Sequence, residues 1–168
     1  HFHTASGPLI ARKDGGWIYM DFPALPPRAM TPPKGLAEAL GIKPTYVGQN
    51  RLDLLAVVDT ASDVRELHPD FARLRSVDTR GVIVTAPSDQ PEYDFISRAF
   101  FPALGIDEDP VTGSAHCCLG PYWSERLGKN ELVGYQASAR GGVVRVEVRE
   151  ERVLLGGQAV TVMKAELL

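Results

Sequence analysis

Three acids, Asp107, Glu108 and Asp109, run directly into Pro110, and Thr112, Gly113, Ser114 and His116 follow within seven residues. A carboxylate cluster leading into a helix lies beside free backbone N–H groups and the positive end of the helix dipole, which is where anions bind. Asp109 has two readings. As an N-cap with Pro110 as the first helical residue it contributes about 1 kcal/mol of helix stability, and the proline sits where its missing N–H costs nothing. As an acid facing a bound substrate, a carboxylate beside other carboxylates and against a buried helix can have its pKa raised, as proton transfer near neutrality requires. Spacing leaves both open, while Asp107 and Glu108 need do no more than complement the dipole.

Thr112, Gly113 and Ser114 supply the second half of such a site. Glycine lets a ligand approach the backbone, and adjacent amides with two hydroxyls can hold a carboxylate. His116 is a candidate second proton carrier or substrate contact, or else a hydrogen-bonded core residue. Cys117 and Cys118 are adjacent and lack a basic neighbour, so they are expected as small buried hydrophobes without reactive thiolates or a mutual disulfide. His1 and His3 have ligand-like spacing, but no carboxylate or cysteine accompanies them and no metal site is expected. Tyr122 and Trp123 are expected in the core.

These residues must be held by a real core, and 168 residues suffice for one: a chain of this size buries roughly 70% of its unfolded surface. A net charge of -3 without a basic patch gives no support to a nucleic-acid partner, so a small molecule is the expected one. No run reaches the ~20 apolar residues of a membrane helix. No leader opens the chain, and with its cysteine usage this predicts a cytoplasmic protein without a membrane partner.

Strands are predicted over Leu9–Arg12 and Trp17–Phe22, joined by a turn at Asp14-Gly15-Gly16, so the chain is expected to open in mid-sheet. Five prolines between Pro23 and Pro33 predict a linker and a domain boundary, with residues 1–27 on one side and 28–168 on the other. A short helix over Lys34–Leu40 follows, then strands Thr45–Gly48 and the more buried Leu52–Val58, and short helical segments at Asp63–Leu67, capped from Thr60–Ser62, and at Asp70–Arg73. Gly81–Ala86 and Tyr93–Phe101 are strands, the latter with Phe95, Ser97, Ala99 and Phe101 on one face.

Pro110–Ser124 contains no charged residue in a chain that is 23% charged, and a helix apolar all round is buried all round. It is expected to stop at Gly128 and to bend or break near Gly120-Pro121, because an interior proline costs about 3 kcal/mol. The rest is strand: Leu132–Ser138, Val143–Arg149 with one wet face, Arg152–Leu155 broken by Gly156-Gly157, and finally Gln158–Lys164. The fold class is therefore α+β, a mixed sheet curled around one central apolar helix.

Glu108-Asp-Pro-Val-Thr-Gly-Ser-Ala-His116 resembles the signature of the phenazine-biosynthesis PhzF-like family, whose fold is that of diaminopimelate epimerase. So do Phe2-His-Thr-Ala-Ser-Gly7, Asp21-Phe-Pro23, Ser97-Arg-Ala-Phe-Phe-Pro102, Gln136-Ala-Ser-Ala-Arg-Gly-Gly142 and Val153–Val160. The resemblance implies two similar halves with the active site in the cleft between them. It places Asp109 facing the cleft, with Gly113 and Ser114 holding the substrate carboxylate, and implies no metal or organic cofactor. Epimerases of this fold that depend on cysteine carry it where Asp109 stands, so Cys117 and Cys118 are displaced from that position.

The family's principal acid/base is a glutamate in the N-terminal half, and no residue here corresponds to it. The chain is thus expected to be the second half plus the last strands of the first, inactive alone, with its C-terminal strand returning to the first half. The function implied is an isomerase that moves a proton on a small carboxylate-bearing metabolite, with a homodimer as a candidate assembly. The alternative is a non-catalytic metabolite-binding or protein-interaction domain on the same fold.

Overall fold

The computed structural model describes residues 2–4 and 7–166, with side chains from Leu9 onward. In chain order its strands are β1 (Phe2–Thr4), β2 (Gly7–Asp14), β3 (Trp17–Pro23), β4 (Arg28–Ala29), β5 (Tyr46–Gln49), β6 (Leu54–Val57), β7 (Val82–Pro87), β8 (Phe95–Phe100), β9 (Glu131–Gln136), β10 (Gly142–Arg149) and β11 (Arg152–Gly157). The helices are α1 (Leu36–Leu40), α2 (Ala61–Arg65), α3 (Phe71–Leu74) and α4 (Gly113–Leu127). The eleven described strands form one sheet in the order β1-β2-β3-β11-β10-β9-β8-β7-β6-β5-β4. All pairs are antiparallel except β6 with β7 and β8 with β9. Each parallel pair needs a crossover, and these carry the helices: α2 and α3 in the first, α4 in the second.

The mixed sheet curls around α4 as its sequence implies. One cluster joins Ala115, Cys117, Cys118, Leu119, Tyr122 and Trp123 of α4 to inward side chains of β6 through β11. Alternation divides β6 between two cores: Leu55 and Val57 face α4, while Leu54 and Ala56 face a second core under α1, α2 and α3. Because both of its faces are covered, β6 is apolar throughout. On β10 only Val144 and Val146 are buried, with Arg145 exposed between them, which is the predicted wet face. The β2–β3 turn is as expected, with Gly15 and Gly16 at φ 52° and 89°. Thr60 and Asp63 close a capping box on α2, and Asp70 caps α3.

Three expectations are corrected. First, the break allowed for near Gly120-Pro121 is absent: helix α4 runs from Gly113 to Leu127 with Pro121 inside it. Proline at 121 leaves the Cys117 carbonyl without its usual i+4 donor, and the Leu25 amide fills the place at 2.9 Å. Leu25 belongs to the proline-rich segment between β3 and β4, which lies against the helix and contributes its own buried side chain to the core. Second, Gly156-Gly157 does not interrupt β11, which pairs through to Gly157 opposite Ile18. A Cβ on Gly156 would stand 2.6 Å from the Tyr19 ring, so glycine here makes room for a cross-strand aromatic.

Third, the strand expected over Gln158–Lys164 does not form. Residues 158–166 carry no regular structure, and Val160 and Val162 are 85% and 90% exposed. An alternating sequence makes a strand only beside a free edge, and both edges of β11 are taken by β3 and β10. No described helix is long and apolar enough to cross a membrane.

The packing of α4 predicts the effect of Gly120→Ala. Helix propensity favours alanine by about 1 kcal/mol. The added Cβ, however, would lie 2.8 Å from Cγ1 of the buried, β-branched Val146, and overpacking of this kind costs about 1–3 kcal/mol. Net destabilisation of about 1 kcal/mol is expected from the urea midpoint; a variant as stable as the parent would show that β10 yields freely.

Candidate active site

The three acids have three different environments. After β8 the chain makes a short 3-10 turn at Pro102–Leu104 and reaches Asp107, exposed and 4.0 Å from Arg75. Glu108 accepts two hydrogen bonds from Arg98, at 2.7 and 2.9 Å, in a largely buried pair. Arg98 also donates to the carbonyl of Leu67 at 2.6 Å, tying this loop to the chain beyond α2. Glu108 therefore serves as an anchor, beyond the dipole role expected of it.

Asp109 is not the N-cap. Thr112 holds that position, with no side-chain cap, and residues 109–112 form a loop before α4. A side chain from the next strand holds the loop: Gln136 on β9, fully buried, accepts from the Thr112 amide at 2.8 Å and donates from Nε2 to the Asp109 carbonyl at 2.7 Å. The same Nε2 donates to Thr112 Oγ1 at 3.1 Å, and the Thr112 hydroxyl donates in turn to Asp109 Oδ2. Donors thus run one way, from Gln136 through Thr112 to the carboxylate. Asp109 Oδ1 has no hydrogen-bond partner among the described residues, and the side chain is half-buried.

Beyond Thr112, the amides of Gly113, Ser114 and Ala115 find no acceptor among the described residues. Gly113 is exposed, and a Cβ there would meet only Leu155 Cδ1, at 4.0 Å, so the backbone is open to approach. Ser114 is half-buried, and its Oγ accepts from Arg80 Nη2 at 3.0 Å. Arg80 in turn grips the fully buried Asp53. Asp109, Thr112, Gly113 and Ser114 therefore gather where the chain enters α4, with free amides, a hydroxyl and a carboxylate oxygen available.

His116 stands apart from that group. It is fully buried, and neutral imidazole donates from Nδ1 to the Thr112 carbonyl at 2.8 Å. Nε2 is buried with no partner, and burial pushes the pKa down to about 4. The side chain holds Thr112 from beneath. Cys117 and Cys118 are buried free thiols raised to about 12 by desolvation, protonated at neutral pH as expected of core residues. His1 lies outside the described residues, and the side chain of His3 is not among those described.

Sequence reasoning missed Gln136, Arg80 and Asp53. Their signal was polarity in apolar surroundings: Gln136 alternates inward with Leu132 and Gly134, and Asp53 directly precedes the buried β6. A cavity of about 430 Å³ does occur on the outer face of the sheet between Arg12, Tyr19, Lys129 and Arg145, but it contains none of the motif residues.

Residues 22–165 match the family model of the phenazine biosynthesis-like proteins. An uncharacterized isomerase of Halalkalibacterium halodurans is 55% identical over 168 residues, which cover 99% of this chain and 63% of that protein. An uncharacterized isomerase of Pseudomonas aeruginosa is 48% identical over 166 residues, with the same coverage of 99% and 63%. A crystal structure of a phenazine biosynthesis protein of the PhzF family from Enterococcus faecalis superposes with a TM-score of 0.89 at 44% identity, covering 94% of this chain and 60% of that one. The chain thus spans somewhat under two thirds of the length of these relatives.

Buried neutral His116 gives stability a pH dependence. The unfolded imidazole takes up a proton below about 6.5 and the folded one only below about 4. Its contribution is therefore complete above pH 6.5, is lost as pH falls toward 4, and amounts to about 3 kcal/mol over that window. His116→Gln keeps a donor but cannot titrate, so its urea midpoints should fall less between pH 6.5 and 4 than those of the parent. Parallel profiles would remove His116 as the cause.

Proposed function

The chain belongs to the phenazine biosynthesis-like family, and from that premise we propose that the protein is an isomerase moving a proton on a small carboxylate-bearing metabolite. The carrying observation is the one-way chain from Gln136 through Thr112 to Asp109, which leaves Oδ1 without a partner in the same turn of chain as the unbonded amides of Gly113, which is exposed, and Ser114, which is half-buried. The substrate carboxylate sits on those amides and the Ser114 hydroxyl, where the helix dipole favours an anion. His116 contributes from below by holding the Thr112 carbonyl. The names of the relatives that call them isomerases support the reaction class.

In this reading the substrate loses a proton from carbon to one acid/base group and regains one at another position, so nothing is oxidised or reduced and no cofactor takes part. Asp109 assists, and the principal acid/base is a glutamate of a facing domain, to which β1, β2 and β3 belong as terminal strands. The 168 residues alone carry one wall of the cleft and are inactive. Two buried cysteines kept as thiols support a reducing, cytoplasmic location. A homodimer remains the proposed assembly.

The reading is tested by incubating the full-length protein in D2O with a panel of small carboxylates and following substrate C–H exchange by NMR. Asp109→Asn should slow exchange by about 10²-fold or more. Exchange at the parental rate in that variant removes Asp109 from the mechanism. No exchange by the parent protein with any carboxylate that it binds would favour the alternative, a non-catalytic metabolite-binding domain.

A further inference from the structure

Arg80 reaches the proposed anion site through Ser114, and its charge is already engaged. Asp53, fully buried at the entrance to β6, accepts from Arg80 Nε at 2.8 Å and Nη2 at 2.5 Å. The guanidinium lies 5.3 Å from the centre of the Phe101 ring. Glycine at 81 permits this stack, because a Cβ there would stand 2.2 Å from the Phe101 ring and 3.1 Å from Asp53 Oδ1. Held from two sides, the guanidinium has one orientation, and in it the second hydrogen of Nη2 points to Ser114 Oγ at 3.0 Å.

We infer that Arg80, fixed by Asp53, is a positioning residue that sets Ser114 as a hydrogen-bond donor to the substrate carboxylate. A serine hydroxyl carries one proton and can also accept. Where an arginine, which can only donate, occupies the acceptor side, the hydroxyl proton is directed away from it, to an acceptor such as a substrate carboxylate. The ion pair with Asp53 also cancels the charge of Arg80, so the site holds its anion by oriented donors rather than by a bare cation. This rests on the proposed carboxylate site at the start of α4.

The test uses benzoate as a carboxylate probe and the amide resonances of Gly113, Ser114 and Ala115 in ¹⁵N-labelled full-length protein. Arg80→Met is combined with Asp53→Asn, so that no buried charge is left unpaired, and Arg80→Lys is a second variant that keeps a cation beside Asp53 but cannot span to Ser114. The Kd for benzoate should rise roughly tenfold in Ser114→Ala and by a similar factor in each Arg80 variant. Combining Asp53→Asn and Arg80→Met with Ser114→Ala should weaken binding by less than a further twofold or so, because the effect passes through one hydroxyl.

A further tenfold loss in the combined variant would show that Arg80 meets the anion directly and overturn the inference. Parental affinity in both Arg80 variants would do the same. If Ser114→Ala binds as the parent does, or benzoate leaves the three amides unmoved, the carboxylate site itself fails, an outcome distinct from failure of the Arg80 role alone.

Discussion

Enclosure of the middle of α4 is the constraint on which the rest depends. A helix surrounded by sheet has no wet side on which to carry a charge, and Ala115 through Gly120 are all buried. Chemistry can reach it only at an end. At the C-terminal end Gly128 closes the helix in a left-handed conformation and its amide returns to Ser124. At the N-terminal end no side chain caps the first turn, and its amides stay open. The fold thus leaves a single unsatisfied terminus on its central element, and the polar residues of the motif collect there.

Polar groups brought so close to an apolar interior have to be tied down, and each is tied by a partner distant in sequence. Arg98 fixes Glu108, Gln136 fixes both ends of the Asp109–Thr112 loop, and Asp53 fixes Arg80. These bonds are made in largely buried surroundings, where an unmade bond costs more than the net gain of a made one. The result is a loop held at both ends, with Asp109 Oδ1 and the amides of Gly113 and Ser114 left without partners among the described residues.

What could be seen in the sequence follows from the same distinction. Local signals were sufficient for the neutral run that became α4, for Gly128 as its stop, for the turn at Gly15-Gly16 and for the alternation of β8 and β10. Asp109-Pro110 has the local chemistry of a helix start, and the start lies three residues later because Gln136, on another strand, takes the Thr112 amide and the Asp109 carbonyl. Pro121 is a local breaker whose cost is offset by the Leu25 amide, distant in sequence but packed against the helix. Val160 and Val162 alternate as a strand does, yet pairing is a property of edges, and both sides of the preceding strand β11 are already taken by β3 and β10. The motif residues were legible because chemistry needs particular types; the residues that hold them were not, because a buried glutamine or aspartate acquires its role only from what folds against it.

The pairing of β3 with β11 places Phe22 opposite Val153, far apart in sequence, and joins the first strands of the chain to those that cover α4. On a ribosome, α4 is made before the strands β9, β10 and β11 that cover it, so its apolar surface waits for the chain through Gly157 to emerge. Long-range pairings are also slow to form, because loop closure precedes the reward. A nascent chain of this topology passes through a stage in which its apolar central helix is uncovered, and it is then that such a chain is most exposed to aggregation.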